Sequence, residues 1–94
     1  MALYLVSYDI AEKDEFEYEA LWDALKAMGA IKILYSEWAV VAGLGQATSI
    51  YNIVAPLTQG KDRLLVQEIT QDARWDNLLV SDSVFNQLLS EARG

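Results

Sequence analysis

The run Leu3-Tyr4-Leu5-Val6-Ser7-Tyr8-Asp9-Ile10 delivers a carboxylate, Asp9, near the end of what its β-branched and aromatic residues predict to be a strand. A carboxylate there can hold a metal ion, start a turn or cap a following helix, and only the first of these is chemistry. The acids Glu12, Asp14, Glu15, Glu17 and Glu19 come next. They suit the start of a helix, where they complement the positive end of its dipole, and a cation site or basic-partner surface is their alternative use. Among the bases, Lys32, Lys61 and Arg63 could contact phosphate, while scattered bases also serve simply as solvated or snorkelling side chains. Trp22, Trp38, Trp75 and the five tyrosines could stack on nucleobases, but their strand and helix spacing points to core or dimer packing.

Several chemistries are excluded outright within one chain. There is no cysteine, so there is no disulfide, zinc-thiolate site or cysteine nucleophile. There is no histidine, so a Ser-His-Asp triad and a histidine proton shuttle are absent. Gly43-x-Gly45 has Thr48 where a dinucleotide fingerprint requires its third glycine, and no EF-hand spacing occurs. Fourteen acids against seven bases give a net charge of -7, which repels a phosphate backbone and makes nucleic-acid binding weak or absent. No apolar stretch approaches the roughly 20 residues of a membrane span. The N-terminus lacks the pattern of a secretory signal, so a cytoplasmic protein with no membrane partner is expected.

The elements that must position Asp9 follow from periodicity. A strand over Ala2 to Ile10 leads through Ala11 to Lys13 into a helix from about Asp14 to Met28, with Asp14 and Glu17 as a capping box and Gly29 as its stop. Tyr18, Leu21, Trp22, Leu25 and Met28 form its apolar stripe. Ala30 to Ala42 reads as two extended segments with Ser36-Glu37 as the bend. Gly43-Leu44-Gly45 is a turn before a short helix on Ala47, Ile50, Tyr51 and Val54 that breaks at Pro56. Gln59 to Asp62 is a further turn, and Arg63 to Thr70 a strand. The order β-α-β-β-α-β is the ferredoxin-like plan, an α/β sandwich of the α+β kind in which one sheet face carries both helices and the other stays open.

A single domain over residues 1–94 is therefore expected, with 71–94 as a C-terminal strand/helix extension. Trp75 to Val80 could be its strand. Ser81, Asp82 or Ser83 could cap its helix, whose apolar face is Val84, Phe85, Leu88, Leu89 and Ala92. An apolar face left open in so small a chain would favour pairing with a second copy, so a homodimer is expected.

Tyr8-Asp9-Ile10 after an apolar strand, together with Lys32-Ile33-Leu34-Tyr35-Ser36-Glu37-Trp38, resembles a known family. It is that of the small CRISPR-associated endoribonuclease-like proteins, the non-integrase partner of the spacer-acquisition complex, with their VapD-like relatives. The likeness extends over roughly Ala2 to Thr70. It implies a ferredoxin-like homodimer in which Asp9 of each copy approaches the twofold axis to share a divalent metal such as Mg, with Lys32 near nucleic acid and Ser36 on the family's serine. Magnesium suits so sparse a site because it retains several waters and uses substrate phosphate as a ligand. Two features depart from the pattern. Family members commonly follow the strand-one Asp with basic residues, where this chain places acids, and Leu34 stands where a glutamine is common.

An acidic rim beside a phosphate site opposes its substrate. The reading drawn from the sequence is thus a divergent relative that acts through homodimerisation or a protein partner, with catalysis disfavoured. One alternative is a metal-dependent endoribonuclease with Asp9 as ligand, Ser36 as positioning group and Lys32 on phosphate. Another, on fold analogy alone, is a small-ligand-binding regulatory module.

Overall fold

The computed structural model describes residues 1–11, 18–70 and 72–94. Its elements are β1 (Ala2–Asp9), α1 (Glu19–Ala27), β2 (Ile31–Leu34), β3 (Glu37–Ala42), α2 (Ala47–Val54), β4 (Arg63–Ile69) and α3 (Asp82–Arg93). The strands form one antiparallel sheet in the order β2-β3-β1-β4. The protein is therefore an α+β fold with a four-stranded antiparallel sheet. No helix among the described residues is long and apolar enough to cross a membrane.

β1 is apolar on both sides because it is central and both of its faces are buried. Successive side chains of a strand point to opposite faces. Ala2, Tyr4, Val6 and Tyr8 join Leu21 and Leu25 of α1, Ile50 and Val54 of α2, and Trp38 and Val40 of β3 in one core. Leu3 instead joins Ile33, Ala39 and the α3 residues Phe85, Leu88, Leu89 and Ala92 in a second core. A short segment alternating on this register thus supports three layers, with α1 and α2 on one face and α3 on the other.

The sequence expectation of an open second face is corrected here. The amphipathic α3 folds back over it, and its buried residues supply the cover that a second copy was expected to provide. Ser81 caps α3, its hydroxyl accepting from the Val84 N–H at 3.3 Å. Val84 itself stays at the exposed margin of the helix.

Other boundaries follow local chemistry. Gly29, at φ +81°, reverses the chain after α1, and the Ala30 N–H reaches back to the Leu25 carbonyl at 3.0 Å. The expected helix start at Asp14 and its capping box lie outside the described residues. The bend expected at Ser36-Glu37 is a turn at Tyr35-Ser36 between β2 and β3. As expected, α2 ends just before Pro56, at Val54, and the chain tightens there into a 3-10 turn over Ala55–Leu57, which tolerates a proline near its start. Trp75 to Val80 is not a strand. Asn77 adopts φ 55°, which interrupts extended backbone, and Leu79 makes a single bridge, N–H to the Ile33 carbonyl at 2.9 Å. The apolar content of that segment serves the second core instead, where Trp75 meets Phe85 edge-on with ring centroids 4.7 Å apart.

Candidate functional site

Asp9 ends β1 on the face that α3 covers, but beyond the helix's reach. Period-two alternation places Ser7 on the same face as Asp9, and antiparallel register sets Ser7 opposite Glu37 and Asp9 opposite Arg63. The result is a polar corner at one end of the sheet. The Ser7 hydroxyl donates to Glu37 Oε2 at 2.7 Å, and Arg63 Nη1 lies 3.7 Å from Asp9 Oδ2. Ser7, Tyr8, Asp9, Arg63, Leu64 and Leu65 enclose a shallow depression of about 170 Å3. Both members of the ion pair are largely in solvent, with side chains 84% (Arg63) and 72% (Asp9) exposed. Such a pair contributes little to stability, of the order of 0–1 kcal/mol, and its groups remain accessible.

Ser36 lies in the exposed turn beside this corner, and its carbonyl accepts the Tyr8 N–H at 3.0 Å. Asp9 and Ser36 therefore share one end of the sheet. Lys32 does not join them. It pairs across the β2–β3 ladder with Trp38, whose ring belongs to the opposite core, and its ammonium stands 5.9 Å from the centre of the Trp22 ring. The sheet separates it from Asp9. Spacing alone misses Glu37 and Arg63 as neighbours of Asp9, since they come from other strands. The signal in the sequence is only the alternation that links Ser7 to Asp9.

A divalent ion at Asp9 would meet one carboxylate already facing a guanidinium. Glu37 is engaged with Ser7, and among the described residues no group of three or more acidic side chains is assembled to hold a metal. Among the described residues one chain thus offers such an ion the single carboxylate of Asp9, and the centre that the family resemblance implies takes its second from another copy. The arrangement can instead present a mixed donor and acceptor surface to another polar group, with Arg63 as a planar guanidinium suited to carboxylate or phosphate.

A second carboxylate, Asp62, half-buried just before β4, serves the fold. Its Oδ1 accepts from the Ala11 N–H at 2.7 Å and the Tyr18 hydroxyl at 3.1 Å, while Oδ2 accepts from the Gln59 N–H at 2.7 Å. Partial desolvation pushes its pKa up, but these three donors outweigh it and hold the carboxyl below its ordinary value. Asp62 thereby ties the end of β1 to the start of α1 and to the turn entering β4, which fixes the strand that carries Arg63. Tyr4 is tied at the other end of the sheet. Its hydroxyl lies 2.6 Å from the Gly43 carbonyl and 2.9 Å from Glu68 Oε1, and accepts from the Gln46 N–H at 2.8 Å. Burial raises its pKa against the lowering effect of the Gln46 N–H, and Glu68 adds to the rise.

No protein-family model matches the chain.

Proposed function

We propose that this protein is a ferredoxin-like binding module, a divergent relative of the CRISPR-associated endoribonuclease-like proteins, that acts by pairing with a second copy of itself and not by hydrolysing nucleic acid. The strand order β2-β3-β1-β4, with α1 and α2 together on one face, supports the ferredoxin-like reading. The observation that carries the pairing is the outer edge of β4. β4 is an edge strand of the sheet, and among the described residues no segment hydrogen-bonds to its free side. Its Leu65 is 53% exposed on the part of the face that α3 leaves uncovered. An unpaired edge with an exposed apolar residue is a template for strand addition. The neighbouring Arg63 and Asp9 carry opposite charges, and such groups set register and orientation more than raw affinity.

Sedimentation at micromolar concentration tests the reading with wild type and Leu65→Lys. Because Leu65 is exposed, the lysine leaves the fold intact. A wild-type dimer that becomes monomeric in the variant is the expected result, and a wild-type monomer overturns the proposal.

The enzymatic alternative draws on the accessibility of Asp9 at a strand end. A metal shared between two copies would make hydrolysis depend on a divalent ion and on this carboxylate. The paired assay is wild type against Asp9→Asn on RNA, with magnesium or manganese, at low and moderate salt. Absent or trace cleavage, equal in both proteins, is expected. Robust metal-dependent cleavage by wild type alone would replace the binding reading with the enzyme.

A further inference from the structure

On the α1/α2 side of the sheet, away from Asp9, Trp22, Lys26, Lys32 and Trp38 line a second cleft of about 170 Å3. Trp22 and Lys26 come from α1 one turn apart, and Lys32 and Trp38 are cross-strand partners on β2 and β3. Helix spacing of four residues and antiparallel register thus bring two indoles and two ammoniums to one place. In a chain with twice as many acids as bases, this puts two of the seven bases on a single cleft. Among the described residues no carboxylate comes within ion-pair distance of either lysine, the pair formed by Arg63 and Asp9 lying elsewhere.

Among the described residues the polar atoms behind the cleft are short of acceptors. The Trp22 and Trp38 indole N–H groups both donate to the Tyr8 hydroxyl oxygen, at 3.2 and 3.0 Å. Tyr8 is 4% exposed, and its own hydroxyl proton has no acceptor among the described residues. Two ammoniums and a buried phenol proton therefore gather where, among the described residues, no carboxylate or carbonyl answers them. Because the indole N–H groups are committed to Tyr8, what the rings offer a ligand is apolar and π surface. A cavity of roughly 150 Å3 accommodates a benzene-sized ring.

We propose that this cleft binds a small organic anion built of one flat ring bearing a carboxylate or phosphate, with the ring against the Trp22 and Trp38 indoles and the oxyanion between Lys26 and Lys32. Trp22 already accepts a cation on its face from Lys32 at 5.9 Å, a distance that leaves the ammonium free to turn toward an anion while its stem stays on the indole. The site is on the opposite side of the sheet from the Asp9 corner, so ligand binding does not depend on dimerisation through β4.

The test is a titration of the full chain followed by the NMR shifts of the Trp22 and Trp38 indole N–H protons. The probes are phenyl phosphate and benzoate, with benzyl alcohol and inorganic phosphate as controls. Both ring-bearing anions should give saturable shifts at the two indoles, and each control should bind at least tenfold more weakly, a difference of about 1.4 kcal/mol. A Lys26→Gln, Lys32→Gln double variant should lose the response to the anions by at least tenfold while its thermal unfolding midpoint stays near that of wild type. Leu65→Lys, made to separate the two readings, should bind as wild type does. No saturable shift with either ring-bearing anion overturns the proposal, as does equal binding of inorganic phosphate or of benzyl alcohol. Should the double variant fail to fold, the single Lys26→Gln change at an exposed position gives the same comparison.

Discussion

The two faces of the sheet are closed by different means. On the α1/α2 face the buried side chains include Tyr4, Tyr8, Tyr18 and Trp38, and the polar ends of Tyr4, Tyr8 and Trp38 are hydrogen-bonded. On the α3 face the buried residues are Leu3, Ile33, Ala39, Phe85, Leu88, Leu89 and Ala92, without a single hydroxyl. The first face is specified by hydrogen bonds at fixed places, because a buried phenol or indole without a partner is costly. The second is specified by volume alone, and it ends where α3 ends, leaving Ser7, Asp9, Glu37 and Arg63 in contact with solvent. A helix that covers part of a sheet thus creates a polar corner without any residue being spent on excluding the cover.

Removing the cover should have the largest effect. A chain ending at Val80 exposes Leu3, Ile33 and Ala39, and its thermal midpoint should fall sharply or cooperative unfolding should vanish. The milder Leu88→Ala should cost about 2–5 kcal/mol in denaturant unfolding. An unchanged midpoint for the truncated chain would mean that the α3 face has no share in stability, and the comparison of two cores would collapse.

A smaller effect is expected at Asp62, which anchors the hydrogen-bonded side. Asp62→Ala removes the acceptor for two backbone N–H groups and one tyrosine hydroxyl, and should destabilise by about 1–3 kcal/mol. The sign of its pH dependence follows from the lowered pKa. The stabilisation is fully present above the ordinary carboxylate value of 3.8 and is lost as pH falls through the lower value of the folded protein. The difference in stability between wild type and Asp62→Asn should therefore be constant from neutral pH to about 5 and shrink below about 4. A gap that stayed constant to pH 2 would show that the charge on Asp62 is not what its donors recognise.

The smallest effect belongs to the polar corner. Arg63→Ala breaks an exposed ion pair and should change stability by no more than about 1 kcal/mol, with less effect still in high salt. A loss of several kcal/mol would mean that the corner belongs to the fold and is not free to meet a partner.

Much of the local structure was legible in the chain. The strand expected over Ala2 to Ile10 and found over Ala2–Asp9, the apolar stripe on Leu21 and Leu25, Gly29 as a helix stop and the Ser81 cap each rest on a near-neighbour rule, and each is present. Trp75 to Val80 misled because a six-residue segment with four apolar residues satisfies a strand and an irregular packing segment equally well. Of the three site residues expected from the sequence, only Asp9 and Ser36 come to the same end of the sheet. Lys32 has the right residue type, but its even position in the ladder with Trp38 sends it to the far face. A shift of one residue in register would have reversed that, so no composition or spacing argument could decide it.

By itself the sequence determined the order of the four strands and of the helices between and after them, the net charge of -7 and the absence of histidine and cysteine chemistry, because these depend on residue type and on the short periods of strand and helix. Only the tertiary structure decided that α3 closes its own sheet, that Arg63 and Glu37 flank the corner at Asp9, and that Lys26 and Lys32 meet across two tryptophans. The physical reason is that these juxtapositions join residues far apart in the chain. They are set by strand register and by the direction in which a helix returns, and both follow from the packing of the whole core.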